Sequence, residues 1–327
     1  MNRIVSLFVV ALLSAYVVSG LAQNDKPKTW REKAAERFKD NPKDDAKEKI
    51  LTALPSETPA EPQSDRNILV FWRCEGFIHT SIPFGNYALM ELGKKTGAFS
   101  VELADEYDVF TDENLARYDA VLFNNTTNLS FPEESQRKAL MDFVAKGKGI
   151  AGIHAASDNF KNWPEAAAMI GGVFNGHPWN AGGKWAFELN DVENPVTAAF
   201  NGQGFWHTDE IYWYKPESFQ GEEKLRILVS LDMTKSQNIQ VLLKSKKNPM
   251  PEDEAKAVRV AVSWIREFNG GRVFYSNLGH RDDTFWNPAV LEHYLSGIQY
   301  ALGDLEADDT PTASAKDLRH AAAPAQE

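Results

Sequence analysis

At 327 residues, 43% apolar and 25% charged, the chain has the composition of an ordinary globular protein and the length to bury a sizeable core without cross-links. Its 46 acidic against 35 basic residues give a net charge of -11, which argues against non-specific nucleic-acid binding and against docking on an anionic membrane face, and favours neutral or cationic ligands. Cys74 is the single cysteine, so no internal disulfide can form.

In chain order, residues 1–22 read as a secretory signal: Arg3 supplies the positive start, 4–18 the apolar core, and Gly20 and Ala22 the small residues of a cleavage site. The run is shorter than the roughly 20 apolar residues of a spanning helix. The mature chain is therefore expected to begin near Gln23, periplasmic or secreted, with no membrane attachment after cleavage. Residues 23–65, rich in Lys, Asp, Glu, Ala and Pro, read as an extension and linker with one short amphipathic piece at 45–54. The folded unit is expected over 66–303. Residues 304–327 offer little to bury and are expected to be disordered.

Within the folded unit, strand-like runs at 67–71, 99–103, 119–123 and 149–153 alternate with helical patterns at 82–96 and 132–146. That alternation predicts an α/β fold with a doubly wound, mostly parallel sheet. Pro132 is placed in a first helical turn, and Gly147 as a helix stop. Further strands are expected at 184–189, 226–231, 258–264 and 272–276, a polar surface excursion at 233–256, and a closing helix at 287–302.

Ligands of parallel sheets bind beyond the carboxyl ends of the strands, and here four strands discharge polar groups at that rim. The segment GKGIAGIHAASD at 147–158 ends in His154 and, four residues later, Asp158; 67–71 leads to Glu75 and His79; 119–123 to Asn124, Asn125 and Thr126; 272–276 to Gly279 and His280. Of seven histidines, His79, His154, His177, His207 and His280 fall in loops or strand ends, accompanied by Glu75, Asp158, Asp209 and Glu210. Such pairs serve as general acid and base, or orient imidazoles that bind a metal. Neither HExxH nor a paired CxxC occurs, so a divalent metal would need a site assembled from separate loops, with His79, His154, His177 and His280 as candidates. Cys74 reads as a small half-buried residue rather than a nucleophile, and GxSxG is absent. Trp163, Trp179, Trp206, Tyr212, Trp213, Tyr214 and Trp286 cluster around the same loops and could present ring faces to sugars.

Six motifs in fixed order, EGFIH at 75–79, FTDENLARYDAVLF at 110–123, GIHAASD at 152–158, FNGHP at 174–178, TDEIY at 208–212 and LGH at 278–280, resemble the trehalose-utilisation (ThuA-like) family over 66–303. The resemblance implies the class I glutamine amidotransferase-like, flavodoxin-like fold. It implies that Glu75, His79, His154, Asp158, His177, Glu210 and His280 line one pocket. It places His154 at the turn where amidotransferases carry their cysteine nucleophile, so no glutaminase is expected. The chain departs from the family at Ile78, where a basic residue is frequent, and in its long extension.

The leading expectation is a carbohydrate-acting enzyme of hydrolase or isomerase type, working on a disaccharide, glycoside or keto-sugar. Glu75, Asp158 or Glu210 would be the acid or base, and His154 and His280 would polarise or deprotonate the substrate. His79 and His177, with Asn124, Asn125, Trp163 and Tyr212, would orient the sugar. A non-catalytic sugar-binding protein and a metal-dependent hydrolase are the alternatives. A homo-oligomer is left open.

Overall fold

A computed structural model describes residues 28–325 except Lys247, so the expected signal at 1–22 lies outside the described residues. The strands are β1 (Asn67–Phe71), β2 (Ser100–Ala104), β3 (Ala120–Asn124), β4 (Gly149–Ile153), β5 (Phe174–Trp179), β6 (Lys184–Leu189), β7 (Phe205–Thr208), β8 (Ile211–Tyr214), β9 (Arg226–Leu231), β10 (Ala261–Phe268) and β11 (Gly271–Ser276). Nine form one sheet in the order β2-β1-β3-β4-β11-β10-β9-β6-β7, and β5 pairs with β8 apart from it. From β2 to β11 every pairing is parallel. From β11 to β7 every pairing is antiparallel. The doubly wound expectation thus describes one half of the sheet, and an antiparallel extension completes it.

The parallel half is covered on both faces, which is why β3 and β4 are buried along their whole length. Ile68 and Val70 turn to the side of helices Ile82–Thr96 and Pro288–Leu302, while Leu69 and Phe71 turn to the side of helices Glu134–Ala145 and Pro164–Ile170. Helix Pro288–Leu302 starts where the Asn287 side chain accepts from the amides of Ala289 and Val290. These helices hold the strands so that β1, β3, β4 and β11 end together.

Four expectations change. Helix Glu134–Ala145 is capped at Glu133, so Pro132 stands outside it. The stretch 233–256 carries helices Ser236–Leu243 and Glu252–Ala257, whose Ile239, Leu242 and Ala255 are buried; its polar majority conceals a short apolar face. The tail after Gly303 is docked rather than loose, because backbone groups hold it. Ala321 and Leu189 exchange amide bonds at 3.0 and 2.9 Å, and the Thr312 amide donates to Leu225 at 3.0 Å. Composition does not reveal such pairing.

The extension is also a packed layer. Helix Trp30–Phe38 is fixed by Arg31, which donates twice to Asp105 at 3.0 and 2.9 Å, and by Trp30 Nε1 on the same carboxylate. Helix Asp44–Ala53, close to the expected piece at 45–54, buries Ile50 and sets Lys49 5.4 Å over Trp286. Among the described residues no helix is long and apolar enough to cross a membrane.

Candidate metal centre

His154 follows β4 directly, fully buried, in a left-handed conformation at φ 47°. A bulky residue there is strained, so the surrounding frame must hold it. Its Nδ1 lies 2.7 Å from the Asn277 carbonyl oxygen, which can only accept. The proton therefore sits on Nδ1, and the Nε2 lone pair faces inward. The Tyr212 ring backs the imidazole at 4.3 Å, and the Tyr275 hydroxyl donates to the His154 carbonyl at 2.7 Å.

His280 arrives from the loop after β11 through Gly279, at φ 131°. A Cβ there would stand 2.7 Å from Ile153 Cγ2, so only glycine fits. The buried Asp209 carboxylate clamps this loop. It accepts from the amides of Gly279 at 2.8 Å, Arg281 at 3.2 Å and Glu210 at 2.9 Å, and from the Thr284 hydroxyl at 2.9 Å.

His79, beyond β1, is buried with its Nδ1 unpartnered. Its loop is pinned by the Glu75 amide on Thr127 O at 2.8 Å and by Thr127 Oγ1 on Phe77 O at 2.9 Å. The three imidazoles stand 5.0, 5.1 and 5.2 Å apart between ring centres, each pair nearly perpendicular. Glu210, between β7 and β8, completes the group. Its Oε1 lies 3.2 Å from His280 Nδ1 and 3.8 Å from His154 Nε2, and its Oε2 lies 3.2 Å from His177 Nδ1.

One donor atom from each of His79, His154, His280 and Glu210 falls within 4.8 Å of all the others. Ligand atoms about 2.0–2.1 Å from a tetrahedral zinc ion stand about 3.3–3.4 Å from one another. The 3.3 Å between His280 Nδ1 and His154 Nε2, and the 3.2 Å to Glu210, are close to that edge, while Glu210 Oε1 to His154 Nε2 is 3.8 Å and spacings in the group reach up to 4.8 Å, so the donors would draw together on an ion. Burial holds His79 down to about 3, with the charges of His280 and Arg37 adding to it, and holds His154 well below its ordinary value. Both are thus neutral at neutral pH, the form that ligates. Beside His280 a cleft of about 380 Å³ opens, lined also by Thr80, Asp282 and Trp286.

Other expected site residues form the frame instead. The Glu75 carboxylate turns to Arg73 at 3.0 Å and to the Ser130 amide at 2.9 Å, away from the rings. Asp158 pairs with Lys161 at 2.7 Å, and burial raises its carboxyl against the pull of that lysine. Asn124 ties β3 to helix Ile82–Thr96 through Ile82 O and Asn86 Oδ1, and Asn125 braces the Gly279 carbonyl at 3.2 Å. Trp163 packs between Phe131 and Phe160 with Arg137 5.8 Å over its ring, and lines a pocket with Asn128 and Lys161 that contains none of the clustered histidines; Tyr212 is buried behind His154 and offers no face to a sugar. His177 is half-exposed on the outer oxygen of Glu210, outside the four-ligand group. Cys74 is buried with its thiol pushed up to about 12 by burial, which leaves it inert.

Asp209 and Asn277 carry more of the site than their sequence context suggests. Asp209 stands in the TDEIY motif and was legible only as a carboxylate near His207; Asn277 gives no signal, since its backbone carbonyl does the work.

A mixed sheet whose parallel half carries, after its fourth chain-order strand, a left-handed turn bearing a histidine fits the amidotransferase-like class of α/β fold. The family model for ThuA, trehalose utilisation, matches residues 67–301, and the chain belongs to this family. It is similar to the solved structure of a ThuA-like protein from Bacteroides uniformis ATCC 8492, at 19% identity and TM-score 0.55, over 74% of this chain and 93% of that one. It is similar also to a ThuA-like protein from Parabacteroides merdae ATCC 43184, at 16% identity and TM-score 0.51, over 78% and 98%. No curated protein matches the chain.

Proposed function

We propose that this protein is a metal-dependent enzyme acting on a small carbohydrate, with His79, His154, His280 and Glu210 holding a divalent transition ion such as zinc. One observation carries the reading: four donors from separate segments converge within 4.8 Å while a buried nitrogen of His79 has no partner. An unsatisfied buried polar group costs about 1–3 kcal/mol, and an ion would remove that cost. The carbohydrate is supported by the family's description as trehalose utilisation and by the Trp286-lined cleft beside His280.

Such an ion supplies Lewis acidity toward a sugar oxygen or a more acidic bound water. The chain's own groups do the rest. Asn277 keeps the His154 proton on Nδ1, and Tyr212 and Phe174 wall off the rear of the site. His177, between Glu210 and solvent, is placed to carry a proton to or from that carboxylate. The expected signal at 1–22 supports action in the periplasm or outside the cell, which sequencing the N-terminus of the exported protein would test.

The decisive experiment combines elemental analysis with a mass-spectrometric screen of disaccharides, glycosides, their 3-keto derivatives and their sugar-acid forms, run with and without chelator. Stoichiometric metal and chelator-sensitive turnover are expected. A protein that neither retains nor takes up metal on zinc titration would overturn the assignment.

A further inference from the structure

We propose that Arg37, supplied by the N-terminal extension, is a substrate-binding residue of this centre, and that the substrate it selects bears a carboxylate, as a sugar acid does. The proposal rests on reading the histidine cluster as the active centre. The family match begins at residue 67, so helix Trp30–Phe38 lies outside the shared domain. It is nonetheless seated on the same strand end that delivers His79. Trp30 and Phe38 pack on Trp72 at 5.6 and 6.0 Å, and Asp105 holds Arg31 and the Trp30 indole.

This seating brings Arg37 onto the loop that carries His79. Its Nε donates to the Ile78 carbonyl at 3.1 Å, and its guanidinium lies 5.5 Å over the Phe77 ring. Phe77 is 57% exposed, and its ring meets His79 edge-on at 4.8 Å. A large exposed aromatic beside the buried cluster is the surface a substrate would cover first.

The guanidinium itself is underused. Among the described residues no acceptor meets its Nη1 or Nη2, and no carboxylate lies within ion-pair distance. Arg31, Arg73 and Arg281, by contrast, are all ion-paired. In a chain of net charge -11, an unpaired arginine fork beside the His79 loop runs against the overall field. A free planar fork matches a carboxylate bidentately, which a lysine or an amide cannot do. A sugar acid could lie with its C–H face on Phe77 and its carboxylate on Arg37, leaving its far end toward His79.

The test uses the full mature chain loaded with zinc. Binding of D-glucuronate and D-gluconate would be measured by calorimetry against D-glucose and trehalose, for wild type, Arg37→Gln and Arg37→Lys, with metal content and thermal midpoint recorded for each. Wild type should prefer the acids, with a preference that weakens as salt rises. Arg37→Gln should lower the acid-to-neutral preference by roughly tenfold or more, the scale of a charge-assisted pair, and Arg37→Lys by less. Equal preference in wild type and Arg37→Gln, or neutral sugars bound as tightly as acids, would overturn the proposal. Arg37-dependent acid binding by a protein that takes up no zinc would keep it and reject the metal instead.

Discussion

The carbonyl oxygen of Asn277 stands 2.7 Å from His154 Nδ1, and this contact alone decides which nitrogen of the buried imidazole faces the cluster. It also couples the end of β11 to the end of β4, which are parallel neighbours in the sheet. Replacing His154 tests the centre most directly. Asparagine tolerates the left-handed conformation at this position better than alanine does. His154→Asn is expected to fold, by circular dichroism, and to bind zinc more weakly by well beyond the about 10–100-fold typical of losing an outer partner, as read by chelator competition.

Asp209 should act on the metal without touching it. Four donors converge on its carboxylate, three of them backbone amides. An asparagine would turn an NH₂ group toward at least one of those amides, leaving donors unsatisfied at about 1–3 kcal/mol. Asp209→Asn is therefore expected to lower the unfolding free energy read from urea titration by that amount and to weaken zinc binding, because the loop carrying His280 is no longer clamped. Unchanged stability would mean the carboxylate is already protonated in the native protein, the direction in which burial pushes it.

Gly279 is confined from two directions. Its φ of 131° disfavours any side chain, and an added Cβ would meet Ile153 Cγ2 at 2.7 Å and His154 Cβ at 3.4 Å. Gly279→Ala is expected to cost about 1–3 kcal/mol in denaturant unfolding and to displace His280 from the cluster. Zinc affinity should fall more than in a control such as Gly182→Ala, whose added Cβ meets only the flexible Asn180 side chain at 3.3 Å.

The sequence makes the parallel half of the fold readable because each element there is locally complete. β1, β4 and helix Ile82–Thr96 coincide with the expected runs, since an apolar stretch closed by glycine or a cap states its own limits. β5, β7 and β8 carry no such signal. Their burial follows partners far away in the chain, and β5 is mostly exposed in its first positions. At the site, His79, His154 and His280 are legible as polar residues just past strand ends, and Glu210 as a carboxylate of the TDEIY motif close after His207. The separation of these four from Glu75 and Asp158 is not, because which way a carboxylate turns depends on Arg73 and Lys161, and sequence spacing carries no such information. The docking of the tail and extension is not legible for a related reason: composition records what a segment can bury, not which backbone groups or arginines will fasten it.

Acid should destabilise the metal-free protein. Burial depresses His79 to about 3 and His293 to about 4, and lowers His154 and His207 as well. The native state keeps these imidazoles neutral while the unfolded chain takes up protons near pH 6.5. Their contribution is therefore complete above about pH 6.5 and is lost as pH falls from there toward the folded values. Asp158 and Asp209, raised by burial, work in the opposite sense and soften the slope. Urea midpoints of metal-free protein should drop between pH 7 and pH 5, and drop less in His79→Gln. A midpoint that rises over this range would contradict neutral buried histidines.

Glu75 offers the sharpest contrast between the motif and its geometry. It stands in the EGFIH run with His79, yet its carboxylate bonds to Arg73 and to the Ser130 amide, and Arg73 continues to Glu106 at 3.0 Å. A general acid must reach the proton it moves, whereas Glu75 is committed to holding the loop that carries His79. Glu75→Gln keeps an oxygen for the Ser130 amide and loses only a partly exposed ion pair, worth about 0–1 kcal/mol. Zinc stoichiometry should be unchanged, and turnover of whichever sugar the screen identifies should fall less than about threefold, far short of the ~10²–10⁴-fold loss expected of a general acid or base. A loss on that larger scale, with metal retained, would return Glu75 to the reaction and require its carboxylate to swing inward when substrate binds.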